Sequence, residues 1–130
     1  MEVVAALICR RGRLLVCQRS GAGSFPLKWE FPGGKVKTGE GHAAALMREL
    51  REELGIEVRS AAEVARHKHG YPDGTEVELR FYRVDDYDGT AENRVFQKIL
   101  WVGIERLREI DFLEGDLPLV EKLTRRELIV

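Results

Sequence analysis

The chain has 130 residues, of which 44% are hydrophobic and 33% charged, with 13 Gly and 4 Pro, a globular composition that excludes collagen-like, low-complexity and disordered classes. Lys and Arg total 21 against 22 Asp and Glu, a net charge of −1, so no bulk field favours a long polyanion such as DNA, and a small phosphorylated ligand stays open. The apolar run Val3–Cys9 is far short of the roughly 20 residues of a membrane span, and no basic stretch precedes an apolar one at the start; the expectation is one domain over residues 1–130, cytoplasmic and without a membrane partner.

Residues 3–9 and 14–18, rich in Val, Ile and Leu around Arg10-Arg11-Gly12-Arg13, predict a β-hairpin. With Arg11-Gly12 as a two-residue turn, Arg10 pairs with Arg13 and Cys17 falls opposite Ala6 rather than Cys9. No disulfide is therefore expected, and both thiols read as buried and inert. Residues 20–28, carrying Gly21, Gly23, Ser24 and Pro26, predict a loop, and Pro32 to Gly39 another, with the short apolar segment Trp29 to Phe31 between them.

From Glu40 to Leu54 the spacing predicts a helix: Ala43, Leu46, Met47, Leu50 and Leu54 recur at three and four residues, and Gly55 supplies a stop. Strands are predicted at Ile56–Val58, Val64–His69, Val77–Val84 and Lys98–Val102, with a turn at Tyr71-Pro72-Asp73-Gly74. A helical turn over Glu105–Arg108 and a last helix from Leu117 to Arg126 complete the chain. Strands interleaved with two helices give an α/β (α+β) sandwich, a mixed sheet with a helix on each face.

On a helical projection Glu49, Glu52 and Glu53 fall within about 100° of arc, centred about 120° from the apolar stripe. Like charges so spaced cost an isolated helix a few tenths of a kcal/mol per pair. Arg48 and Arg51 offset part of this if the face is simply a solvated ion-pair network. The glycines upstream, Gly33, Gly34 and Gly39, favour a second reading. They permit close backbone approaches, so a loop carbonyl can join the carboxylates around a hard divalent cation, which prefers oxygen ligands and accepts phosphate oxygens.

Gly34, five residues, Glu40, seven residues, then Arg48-Glu49-Leu50-Arg51-Glu52-Glu53-Leu54-Gly55-Ile56 matches every fixed position of the Nudix box, G-x5-E-x7-R-E-U-x-E-E-x-G-U with U aliphatic. The preceding Trp29-Glu30-Phe31-Pro32-Gly33-Gly34-Lys35 resembles the MutT branch of that family, and the resemblance covers essentially the whole chain. It implies a Nudix α/β/α sandwich and a Nudix hydrolase that uses Mg2+ or Mn2+ to cleave a nucleoside diphosphate linked to a further group. In MutT-like enzymes water attacks an internal phosphorus of a nucleoside triphosphate, 8-oxo-dGTP or (d)CTP and modified variants, yielding nucleoside monophosphate and pyrophosphate and clearing damaged or surplus nucleotides.

The resemblance further implies that Glu49, Glu52, Glu53 and the backbone carbonyl of Gly33 hold the metal ions. Arg48 then orients a catalytic glutamate by a charge-assisted hydrogen bond, Glu40 supports it, and either Glu53 or Glu52 assists as base. For the substrate it points to Arg19, Phe31, Lys35, Asp73 and Asp116, with Lys35 as a phosphate contact. The 8-oxo-dGTP hydrolase carries Asn at the position like Asp116; Asn donates and accepts, whereas ionised Asp only accepts, which suits the exocyclic amine of cytosine. Asp116 also stands where an N-cap of the last helix belongs. One departure concerns the loop before the strand of Trp101, where relatives of this branch often place another glutamate. Val95 stands there and Glu92 is the nearest acid, so either Glu92 reaches the metals or the site has one carboxylate fewer.

The implied partner is a small-molecule nucleotide, not nucleic acid, and the chain is expected to be a monomer or homodimer. His67 and His69 share a strand face without a third ligand at metal spacing, and no P-loop pattern is present. Two other readings stay open: a Nudix-fold sensor that binds a nucleotide without hydrolysing it, which the intact Glu49, Glu52 and Glu53 disfavour, and hydrolysis of another nucleoside diphosphate derivative such as ADP-ribose.

Overall fold

The computed structural model describes residues 1–130. Strands β1 (Glu2–Arg10) and β2 (Arg13–Gln18) form the expected hairpin, with Arg10 opposite Arg13 and Cys9 opposite Leu14. Arg11 and Gly12 both take positive φ, 52° and 76°, as a two-residue turn matched to strand twist requires. Both cysteines are free.

Strand β1 is the axis of the sandwich. It is apolar at every position from Val4 to Ile8 because both of its faces are covered. Val4, Ala6 and Ile8 point to one side, against Leu46, Leu50 and Leu54 of helix α1 (His42–Leu54). Ala5 and Leu7 point to the other, against Leu119, Val120 and Leu123 of helix α2 (Leu117–Thr124) and against Phe31, Phe81 and Phe112. Each fully buried Leu on α1 contributes about 1.5–3 kcal/mol relative to an exposed position, which anchors the acidic helix firmly to the sheet.

The remaining strands are β3 (Trp29–Glu30), β4 (Gly33–Lys35), β5 (Glu57–Gly70), β6 (Glu76–Asp88) and β7 (Lys98–Gly103). The order runs β3-β2-β1-β6-β5, with β4 also on β1 and β7 on β2. The β1–β6 pair is parallel and the others antiparallel, giving the mixed sheet with a helix on each face. No helix is long and apolar enough to cross a membrane.

Three local expectations are corrected. Gly33–Lys35 is strand, not loop, laid antiparallel on Val3–Ala5; backbone bonds to β1 define it, not side-chain propensity. Helix α1 begins at His42 after Gly41, so Glu40 lies outside it, and Ala45 rather than Ala43 joins the core. The strands expected at Ile56–Val58 and Val64–His69 are one continuous β5, carried past Arg59–Glu63 by pairing to β6 with register shifts. The turn at Tyr71–Gly74 closes as expected, with Gly74 N–H donating to Tyr71 O at 3.0 Å.

Candidate active site

Glycines set the geometry where β4 meets α1. Gly33 has φ +154°, and a Cβ there would strike the Val4 carbonyl and come 2.8 Å from Ala5 Cα, so only glycine lets β4 lie this close to β1. A Cβ on Gly34 would fall 2.5–2.7 Å from the Glu49 carboxylate atoms. The glycine pair thus clears space for a helix carboxylate directly against the backbone.

Arg48 organises the acids around that space. It holds Glu40 bidentately, Nε to Oε2 at 2.8 Å and Nη2 to Oε1 at 3.0 Å, and donates from Nη1 to Glu49 Oε1 at 3.0 Å and Glu52 Oε2 at 3.4 Å. Its Nη2 also reaches the Lys35 carbonyl at 3.1 Å, tying α1 to β4. Glu40 accepts the Lys37 N–H as well, and these donors hold its carboxyl low, at about 2. The implied orienting role of Arg48 and supporting role of Glu40 are therefore what their contacts allow.

Glu53 accepts the Gly33 N–H at 3.2 Å. Burial, then the charges of Glu49 and Glu30, push its carboxyl up to about 8 against that single donor. Burial likewise raises Glu49, opposed by Arg48. Glu52 behaves differently: 57% of its side chain is exposed, it turns to Arg48, and it does not line the cavity that holds Glu49 and Glu53. No three His, Cys, Asp or Glu side chains are gathered as a ready coordination set. The donor chemistry nevertheless fits a hard divalent cation: the acids Glu49 and Glu53 face one cavity beside glycine backbone, and no cation of the protein binds Glu53 there.

The same cavity, about 450 Å3, continues to a second cluster of polar groups. Arg19 is bound to Glu30 at 3.0 and 3.3 Å and to Ser24 through O at 2.9 Å and Oγ at 3.0 Å, so it braces the 20–28 loop. Phe31 is a core side chain, packed on Phe112 at 5.1 Å and Phe81 at 6.4 Å between centroids, and offers the cavity only a wall. Asp73 accepts the Thr75 N–H at 2.8 Å, which lowers its pKa and shapes the turn at the rim. Lys35 is exposed at the lip.

Asp116 lines the cavity but is not the expected cap. It precedes α2 but makes no side-chain cap bond, because it sits in a 3-10 turn, Glu114–Asp116, that carries it into the cavity wall at 4% exposure. Burial and then the charge of Glu30 push its carboxyl up to about 8, partly offset by the Phe31 main-chain amide. A carboxyl so raised takes up a proton more readily than a surface Asp, and in its protonated form it donates as well as accepts.

The late loop brings no acid into the cavity. Val95 is exposed, and Glu92 faces solvent beside Arg94 at 3.9 Å. The sequence reading assigned no role to Glu30, Phe25 or Tyr71, all of which line the cavity. Burial raises Glu30, opposed by Arg19. Phe25 stacks on Tyr71 at 4.8 Å, and Tyr71 Oη accepts the Gly115 N–H. A signal existed only for Glu30, inside the Trp29–Lys35 segment.

The family model of the NUDIX domain matches residues 1–123. The chain is 39% identical over 121 residues to the CTP pyrophosphohydrolase of Escherichia coli, spanning 93% of this chain and 89% of that protein. It is 35% identical over 124 residues to the 8-oxo-dGTP diphosphatase of Haemophilus influenzae, spanning 95% and 90%. Among solved structures, the E. coli ORF135 protein superposes with a TM-score of 0.84 at 37% identity, covering 97% of this chain and 89% of that one.

Proposed function

The chain belongs to the NUDIX domain family as a MutT-like hydrolase, and from that premise we propose that it is a Mg2+-dependent nucleoside triphosphate pyrophosphohydrolase, splitting (d)CTP or 8-oxo-dGTP and related nucleotides into monophosphate and pyrophosphate. The observation that carries this reading is the Glu53 carboxylate sunk beside Glu49 against the Gly33–Gly34 backbone, at one end of a cavity whose other end holds Asp116 and Glu30.

Glu49, Glu53 and the Gly33 carbonyl would hold Mg2+ or Mn2+, with Glu52 next to them on the same helix. The bound ion supplies neutralisation of phosphate charge and acidification of a water. Arg48 keeps Glu49 in place from one side and Glu40 from the other, so that the carboxylates do not reorganise as the substrate arrives. Glu53, set in the cavity beside Glu49 and against the Gly33 N–H, takes the proton of the attacking water. Lys35 at the lip meets the phosphates. Asp116 meets the base edge, and in its protonated form donates and accepts there, which serves an oxidised guanine as well as cytosine. Arg19 acts through its loop and through Glu30 rather than by direct contact.

The test is a panel of normal and damaged nucleoside triphosphates with Mg2+, scoring monophosphate and pyrophosphate. Glu53→Gln is expected to lower turnover by about a hundredfold or more with an unchanged fold by circular dichroism. Wild-type turnover in that variant removes Glu53 from the mechanism; tight nucleotide binding without pyrophosphate release by the wild type makes the chain a sensor.

A further inference from the structure

We propose that Arg94 is a positioning residue for the carboxylate helix, clamping the C-terminal turn of α1 so that Glu52 and Glu53 keep their places. The proposal rests on the reading of α1 as the metal-holding helix.

The last four carbonyls of an α-helix have no partner within it; in α1 they belong to Arg51, Glu52, Glu53 and Leu54. A loop far along the chain supplies partners for three of them. Arg94 N–H donates to Glu53 O at 3.1 Å, Glu92 N–H donates to Leu54 O at 2.9 Å, and the Arg94 guanidinium donates from Nη1 to Arg51 O at 3.2 Å, where Gly55 N–H also donates. The guanidinium places positive charge at the negative end of the helix dipole. That is the end at which Glu52 and Glu53 add their own negative field, so Arg94 offsets both.

The loop is itself anchored and can transmit this hold. Asn93 and Phe96 exchange two bonds, Phe96 N–H to Asn93 Oδ1 at 2.8 Å and Asn93 Nδ2 to Phe96 O at 2.9 Å. Phe96 packs against the core beneath α1, and Gln97 N–H donates to Gln18 O at 2.9 Å. Gly55 completes the clamp: it ends α1 at φ 69°, and a Cβ there would come 2.5 Å from Arg94 Nη2. The segment around Val95 thus serves the site through backbone and one guanidinium instead of through a carboxylate.

The experiment compares wild type, Arg94→Ala, Arg94→Lys and the core control Val84→Ala. It measures kcat and KM with CTP and 8-oxo-dGTP in Mg2+, Mn2+ binding by electron paramagnetic resonance without nucleotide, and melting temperature. Arg94→Ala is expected to lose roughly tenfold in kcat with KM within about twofold, a change equal to about 1.4 kcal/mol, and to bind Mn2+ several-fold more weakly. Arg94→Lys, which keeps the charge, recovers part of both. Wild-type kcat and Mn2+ binding in Arg94→Ala, or losses no larger than those of Val84→Ala at a matched drop in melting temperature, overturn the proposal. A wild-type chain that neither binds Mn2+ nor turns over sinks the site reading itself, and this inference with it.

Discussion

Replacing Asp116 by Asn isolates the cost of the proton that this residue carries. Asn has nearly the same size and shape but no titration. The Asp116 carboxyl is 4% exposed and its pKa rises from 3.8 to about 8 on folding. Below pH 3.8 it is protonated in both the folded and unfolded chains and costs nothing. Between pH 3.8 and 8 the folded chain holds a proton that the unfolded chain has released, so each pH unit removes about 1.4 kcal/mol of stability. Its contribution is therefore fully present in acid and lost as pH rises through the folded value. At pH 7 the sum approaches about 4 kcal/mol, an upper bound that relaxation and water entry reduce towards about 2. For a domain of this size Asp116→Asn should then melt about 6–15 °C above wild type at pH 7, with the gap closing towards pH 4.5. Scanning calorimetry at half-unit steps from pH 4.5 to 8.5 measures that gap directly, and titrating groups that do not sense Asp116 cancel in the difference. Parallel curves would mean that Asp116 is ionised at neutral pH and that the donor role assigned to it is wrong. Activity supplies the companion readout: the ratio of 8-oxo-dGTP to CTP turnover should agree between the two proteins at pH 6.5 and diverge above pH 8, where only Asn still donates.

The glycines of β4 separate fold from site. In Gly34→Ala the nearest atoms to the new methyl are the Glu49 carboxylate, so turnover should fall at least about tenfold while stability changes by about 1 kcal/mol, read from paired kinetics and urea melts. Gly33→Ala collides with the Val4 main chain and should instead destabilise by about 3 kcal/mol or more, seen as a lower urea midpoint. Leu50→Ala, at a position with 0% exposure between α1 and the sheet, should cost about 2–5 kcal/mol by the same melts.

Helix α1 was legible because three independent signals agree: an apolar period of three and four, a glycine that ends the helix at φ 69°, and acids confined to one stripe. Strand β1 was legible for a similar reason, since an apolar run bounded by a turn has nowhere to go but between two layers. Strand β4 was hidden because Gly33 and Gly34 carry no side-chain signal, and their strand character comes wholly from backbone pairing to Val4 and Ala5. The break expected within β5 came from Arg59–Glu63, where alternation fails; β6 overrides it by supplying partners across the bulges.

The carboxylate stripe shows how far a helical projection reaches. Taking Glu49 as the origin, Glu53 lies about 40° to one side and Glu52 about 60° to the other. A cavity wall that covers Glu49 and Glu53 therefore leaves Glu52 at its edge, where Arg48 holds it in solvent. The spacing put three acids on one face, but only the position of β4 decides which of them lose water. The same rule governs Asp116. Its neighbours in sequence, Gly115 and Leu117, say helix start, whereas Glu30 and the main chain of Phe31 come from β3 and the residue after it and are invisible from residue 116. Proton affinities in this site are thus set by contacts between distant segments, which is why residue types and their spacing pointed to the chemistry but not to which acids are raised.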